Sequence, residues 1–575
     1  MNENKGTLNF LNKCIVFLLF LTILISLFAW ITYGTLEGTL GALAHTIIGL
    51  LNIFPWIIPF VGIPLGILDI LGIYGVGMYN LTLNLARLDS SWMPVVWYWI
   101  MAIIGSVIDI ILTLFTIGWI KRLKYRKKEP KANLALINCN IIDGNLKSSI
   151  ISKGVILIKN VAEDDETPGL IVGVGKEEDI KIPENYRKID LKGGYVLPGL
   201  INAHCHLTGS GKPMKIMNLS DKTLEKLTKL LKTPLGKKIL SNMMKNNASN
   251  ALNAGVTTLR TMSDPFYLDL KLRDKIKKGK LIGPRLVCAG MGICITGGHG
   301  GMMAHTADSP TEVKKAIRKN LRKEVDFIKI LSTGGVMDSR KVGEAGRPQM
   351  TIEEIETACF EAHRGGLLVA THCESTHGIK EALLGGVDSI EHGAKITDDL
   401  VPLFKNNPKS LRGFTTLTST TSAGMGMAVL SKEETKITDV KKENAVLIEV
   451  GMINGLQKAY KEGIILTVGT DAAVPYATHY NVWKELKNFL KYTDMTAQEA
   501  LHFATKGNAE NIGIGDITGS IEVGKSADIQ VVPGNPLENI DYLGQVSMVV
   551  IKGYLIKNPK VKKVKNLKEF EPIEL

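Results

Sequence analysis

Hydrophobic and polar positions fall into two regimes along this chain. From Cys14 to Tyr33 the sequence is a continuous apolar run, about the length that spans a bilayer as a helix. Leu40 to Met78 is too long for one span and is broken by Pro55, Pro59 and Pro64. That pattern predicts two closely linked spans, or a helix plus a re-entrant segment. Pro94 to Ile120 predicts another, so three or four spans are expected. A cleaved signal peptide competes for the first run. Against it, the run is near the upper length of a signal core, no A-x-A-like site follows cleanly, and more apolar sequence comes straight after.

Beyond residue 128 the pattern changes. Leu134–Cys139, Gly154–Lys159, Leu170–Val174 and Arg187–Leu191 are short β-branched runs separated by turns and read as antiparallel strands. Ile529–Val532 and Met548–Ile551 repeat the pattern near the other end. Between them, short apolar runs alternate with longer helical patterns: Gly255–Arg260, Phe327–Ser332, Leu367–His372, Ser389–His392 and Ile464–Gly469 are examples. Strand–helix alternation over about 300 residues implies parallel βα units, whose natural closed form is a (β/α)8 barrel of the TIM type. The expected class is α/β, with a transmembrane helical segment at 1–128, a small β-sandwich split between 129–199 and 515–575, and a barrel at 200–514.

Charge adds orientation. Lys121, Arg122, Lys124, Arg126, Lys127 and Lys128 directly follow the last apolar run, and such clusters mark the cytoplasmic side. They could also bind anionic lipid head groups. A multi-pass cell-membrane protein with a cytoplasmic catalytic domain is therefore expected. Asp69 and Asp109 lie inside apolar stretches, where carboxylates are functional candidates by default. So few spans without an internal repeat argue against a transporter. The net charge of +13 is spread over Lys-rich surface, and with 6% aromatic residues it gives no nucleic-acid face. Cys14, Cys139, Cys205, Cys288, Cys294, Cys359 and Cys373 form no CxxC pair, which argues for a reducing compartment. Partners expected are a small-molecule substrate and the lipid bilayer, with no nucleic acid and homo-oligomerisation left open.

Barrel active sites sit where strands end. His204 and His206 end one apolar run, Lys329 lies within another, and His372, His392 and Asp471 end or follow three more. The i,i+2 spacing of His204 and His206 puts both imidazoles on one face of an extended chain, able to share a metal. Cys205 and Cys373, each directly after a candidate histidine, should then face away and pack. Singly, His372 and His392 suit hydrogen-bonded core histidines, Lys329 a salt bridge and Asp471 a helix cap. Together they point to one face. An ammonium repels cations, so to serve as a ligand Lys329 must carry CO2 as a carbamate, whose two oxygens can bridge a metal pair.

The strings from Gly194 to His206, Asp326 to Gly335, Ser389 to Gly393, Val468 to Asp471 and Gly519 to Asp528 resemble the amidohydrolase superfamily. Together with Cys294-Ile-Thr-Gly-Gly-His-Gly300 they most resemble its imidazolonepropionase-related branch, which includes Xaa-Pro and Xaa-Lys/Arg dipeptidases. The likeness covers about residues 133 to 560. It implies that His204, His206 and Asp471 hold the more buried metal, that His372 and His392 hold the other, and that carbamylated Lys329 bridges them. Two divalent ions, zinc foremost, are implied. The presence of Lys329 argues against the one-metal deaminase-like variant. Glu374 stands where the dipeptidase branch often has a second histidine, and a histidine reappears at His377.

The expected chemistry is attack on an amide carbonyl by a hydroxide shared between two metals about 3.5 Å apart. Asp471 would act as general base and then acid. His299, in a glycine-rich loop, is the candidate for binding a substrate carbonyl or carboxylate, with Arg340, Arg347, Tyr476 and His479 as further pocket candidates. The substrate class expected is a dipeptide or N-acyl amino acid. Competing readings are a lactonase, esterase or organophosphate-type hydrolase at the same centre, and a non-catalytic membrane ligand sensor.

Overall fold

One short junction, Pro198–Gly199–Leu200, carries the chain from a flanking sheet into a barrel. The computed structural model describes residues 132–160, 169–213 and 221–575. The flanking sheet begins with β1 (Leu134–Ile141), β2 (Ile151–Asn160), β3 (Gly169–Lys176), β4 (Arg187–Asp190) and β5 (Tyr195–Pro198). The barrel takes β6 (Leu200–Cys205), β7 (Val256–Thr261), β8 (Arg285–Cys288), β9 (Gly292–Cys294) and β10 (Ala304–Thr306). It continues with β11 (Ile328–Leu331), β12 (Val369–Cys373), β13 (Ser389–His392), β14 (Thr416–Ser419) and β15 (Leu466–Val468). The chain then returns to the sheet through β16 (Ile529–Val532), β17 (Met548–Ile551) and β18 (Tyr554–Lys557).

Strands β6–β7–β8 and β9–β11–β12–β13–β14–β15 pair in parallel. Two sets of backbone bonds close these into a ring. Asp326 N donates to Cys288 O at 2.8 Å, and opposite it Asp471 N donates to His204 O at 2.9 Å and His206 N to Ala472 O at 2.8 Å. Strands β8 and β9 are successive pieces of one stave, so eight positions surround the axis, with β10 outside β9. Nearly every barrel-strand residue is buried, as a parallel sheet covered on both faces requires. Helices supply the outer cover. In Ile352–Arg364, Thr351 and Glu354 form a capping box, and Asp439–Glu462 ends at Gly463 in a left-handed conformation that glycine adopts without cost.

The flanking strands make one eight-stranded mixed sheet in the order β18-β17-β16-β5-β1-β2-β3, with β4 beside β1. Strand β1 runs antiparallel to β2 but parallel to β4 and β5, so the purely antiparallel reading of this region is corrected. The segments before and after the barrel meet where β16 pairs with β5, and Leu136, Ile156, Val196, Ile529 and Val550 share one buried cluster. Asp528 ties this sheet to the barrel: its carboxylate accepts from Arg285 Nη2 at 3.1 Å and from Lys552 N at 2.9 Å.

Among the described residues no helix is long and apolar enough to cross a membrane. The transmembrane helical domain is therefore no part of the fold as observed, and the multi-pass cell-membrane location read with it is withdrawn. The apolar runs at 1–128, with Asp69, Asp109, Cys14 and the basic cluster, lie outside the described residues. The six described cysteines are free and buried.

Candidate metal centre

Five pieces of backbone deliver the six candidate side chains to the C-terminal mouth of the barrel. His204 lies in β6, with His206 just past it; Lys329 lies in β11, His372 in β12, and His392 ends β13. Asp471 follows β15 by three residues. The His204 ring centroid is 5.8 Å from that of His206 and 4.6 Å from that of His392, and His392 is 4.6 Å from His372. Donor atoms of His204, His392 and Asp471 all lie within 4.8 Å of one another, as do those of His372, Glu374 and His392.

Which ring nitrogens carry protons decides what this cluster can hold. His204 Nδ1 donates to Glu391 Oε2 at 2.7 Å, and His206 Nδ1 donates to the Ser263 carbonyl at 2.8 Å. With those protons committed, each Nε2 of a neutral ring is a lone pair. Both face the same carboxylate oxygen: Asp471 Oδ1 is 3.2 Å from His206 Nε2 and 3.5 Å from His204 Nε2. Lone pairs converging on an anion repel unless a cation lies between them, and an imidazole anchored through its other nitrogen is the usual form of a metal ligand. His392 fits the same scheme, with Nδ1 2.8 Å from Thr420 Oγ1. Three more polar atoms, Lys329 Nζ, Glu374 Oε2 and Asp471 Oδ1, are buried with no hydrogen-bond partner. The donor set suits divalent cations.

Burial lowers the His206 imidazole, but Asp471 outweighs it and raises the ring above its usual range, so in the metal-free centre a proton competes for the cation's place. Burial pushes the Glu391 carboxyl up, but the Arg260 guanidinium and the His204 ring outweigh it and hold the group far below the usual carboxylate range. For Asp471, burial is likewise outweighed by the adjacent His204 and His206 rings, which hold the carboxyl well below the usual carboxylate range. Burial, then neighbouring histidines, drives His372 and His392 well below the usual imidazole range, leaving them neutral as ligation requires. Burial also lowers the Lys329 amine to about 8.

Backbone geometry explains how adjacent residues can both serve the site. His392 has φ 69° and Asp471 φ 52°, left-handed values uncommon outside glycine. The turn at His392 breaks strand alternation, so Glu391 reaches His204 while His392 still points at the mouth. Gly469 secures the closure, since a Cβ there would stand 2.5 Å from His204 Cβ and 3.0 Å from its amide nitrogen. Neither atom is a flexible tip. Gly469→Ala is expected to displace His204, costing about 1–3 kcal/mol by overpacking and weakening metal binding together, read by thermal melts and metal titration.

The remaining candidates divide. The His299 ring centroid is 4.2 Å from that of His372, and its Nδ1 donates to Asp338 Oδ2 at 2.5 Å. Buried His479 donates to the His206 carbonyl at 2.7 Å, so it supports a candidate ligand's backbone. Tyr476 donates to the Glu434 carbonyl at 3.2 Å. Arg340 and Arg347 are exposed. His377 faces outward with 70% of its side chain exposed and pairs with Glu381. Cys205 and Cys373 are buried packing residues.

A model of the Amidohydrolase family matches residues 195–556, most of the chain and all of the barrel. The chain belongs to the amidohydrolase family. Its solved relatives include a Bifidobacterium longum protein provisionally named a prolidase, 34% identical. That likeness covers 76% of this chain and 97% of the other, with a TM-score of 0.65. A Xaa-Pro dipeptidase solved with bound methionine is 29% identical over 74% of this chain and all of the other, with a TM-score of 0.62. The ochratoxinase of Aspergillus niger is 24% identical, covering 68% of this chain and 82% of that protein. This amidohydrolase is thus a hydrolase, from a family that commonly uses divalent metals.

Sequence reasoning assigned no role to Glu391 or Arg260, which underlie the centre of this amidohydrolase. Glu391 Oε1 accepts from Ser389 Oγ at 2.6 Å and Arg260 Nη1 at 3.2 Å, with both charged side chains essentially buried. Glu391→Gln is expected to weaken metal affinity about 10–100-fold. It also leaves the Arg260 charge without its counter-ion, a loss of about 3–5 kcal/mol. Isothermal titration and denaturant melts check the pair of effects.

Proposed function

We propose that this amidohydrolase cleaves a C–N amide bond in a small molecule, a dipeptide or N-acyl amino acid, at a two-cation centre. The observation carrying this reading is the convergence of His204 Nε2 and His206 Nε2 on Asp471 Oδ1 with their ring protons already committed elsewhere. Names among the relatives, a prolidase and a Xaa-Pro dipeptidase, support a dipeptide-like substrate.

In this reading His204, His206 and Asp471 hold one cation, His372 and His392 the second, and Lys329 bridges them as a carbamate. Burial supports the modification of Lys329: with its amine lowered to about 8, more of it is neutral, the form that adds CO2 and releases a proton. Divalent cations at such a centre lower the pKa of water toward neutrality and polarise a carbonyl oxygen.

The chain's own groups do the rest. The Asp471 carboxylate accepts the proton of the attacking water and delivers it to the leaving nitrogen. Glu391, held by Arg260, keeps the His204 proton on Nδ1. His299, beside His372 and oriented by Asp338, is placed to bind a substrate carbonyl or carboxylate.

Turnover of the zinc- and bicarbonate-loaded full chain on a panel of Xaa-Pro and other dipeptides, N-acyl amino acids and lactones tests this. Amide members are expected to turn over, and the metal-stripped protein to be inert. Hydrolysis of lactones alone, or equal amide turnover after metal removal, would overturn it.

A further inference from the structure

Glu374 occupies a place that neither packing nor ion pairing explains. It sits between the end of β12 at Cys373 and the Ser375 cap of the helix Thr376–Gly385, and its amide donates to Thr333 Oγ1 at 3.2 Å. That tether turns the side chain over the barrel mouth. The carboxylate is 9% exposed, and its Oε2 has no hydrogen-bond partner. Oε2 lies 3.6 Å from His372 Nε2, beyond hydrogen-bond length. A buried carboxylate oxygen without a donor is costly, a cost that is offset when a cation is coordinated. A carboxylate oxygen of Glu374 lies within 4.8 Å of donor atoms of both His372 and His392.

We infer that Glu374 is a further protein ligand of the second cation, beside His372, His392 and the shared Lys329. This rests on the two-cation reading above and deepens it. Carbamylated Lys329, Asp471 and Glu374 then set three negative charges against four positive. The centre keeps one net positive charge, enough to attract a carbonyl oxygen. With Glu374 the second cation has three protein ligands of its own, matching His204, His206 and Asp471 at the first.

The test is metal stoichiometry of the full chain after zinc loading and dialysis, measured by plasma mass spectrometry, with melting temperatures taken stripped and loaded. Wild type is expected to hold two zinc ions, Glu374→Gln about one, and Glu374→His, which restores a ligand, two. Stripped Glu374→Gln should melt at or above stripped wild type, because a buried carboxylate oxygen without a partner has gone, while the loaded variant should melt below loaded wild type. A purely structural role would move both melts the same way. Two tightly held zinc ions in Glu374→Gln would overturn the inference and leave the two-cation reading intact. Fewer than two in wild type would overturn both.

Discussion

Lys329→Ala is expected to leave the full chain with little bound metal and to lower kcat/KM by at least about a thousandfold. The size follows from what the residue connects. Losing carbonyl polarisation costs several kcal/mol, and each 1.36 kcal/mol is about a factor of ten in rate. The prediction is sharp because Lys329 has no other visible duty. The residue is 2% exposed, its Nζ has no hydrogen-bond partner, and the neighbouring Glu391 is already paired with Arg260. Removing an unpartnered buried amine should leave the metal-free fold intact, so a melt of the stripped variant close to that of stripped wild type separates lost chemistry from lost structure. Normal turnover in Lys329→Ala would refute the bridging role.

Asp471→Asn is the second large effect. Asparagine has nearly the same shape and tolerates the left-handed backbone at this position, where φ is 52°. The substitution therefore removes charge and basicity with little strain. A positioned general base contributes about 10²–10⁴-fold, so kcat should fall by that factor or more. Metal content should fall less, since His204 and His206 remain. Stopped-assay kinetics paired with metal analysis check this split. A variant that loses metal completely and regains full kcat in excess zinc would show Asp471 to be a ligand without a proton-transfer role.

Much of the site was legible because its residues sit where parallel strands end, and strand ends are visible as apolar runs. His372 and Lys329 fell within such runs, and His392 and His204 at or near their ends. Strand β14 was invisible for a physical reason. Its Thr416, Thr418 and Ser419 are buried, with Thr418 and Thr467 hydroxyls bonded at 2.7 Å and Ser389 to Thr418 at 3.1 Å, so no apolar periodicity marks it. The run from Val196 to Ala203 read as one element but divides at Gly199, where a Cβ would strike Thr257 at 2.1 Å. Both halves are apolar because both are buried, and hydropathy cannot show a change of sheet. Glu391 was hidden by its neighbour: strand alternation sends adjacent residues to opposite faces, and only the positive φ at His392 lets both reach the site. Glu374 stood out as a departure from the dipeptidase pattern, yet its lack of a partner is a property of the folded chain alone.

Metal-specific anomalous scattering from crystals of the zinc- and bicarbonate-loaded full chain tests the central claim most directly. Two peaks are predicted at the barrel mouth. One should lie within about 2.3 Å of donors from His204, His206 and Asp471, the other at that distance from His372 and His392, with modified Lys329 between them. No peak among these side chains, or a single ion bound elsewhere on the chain, would contradict the account.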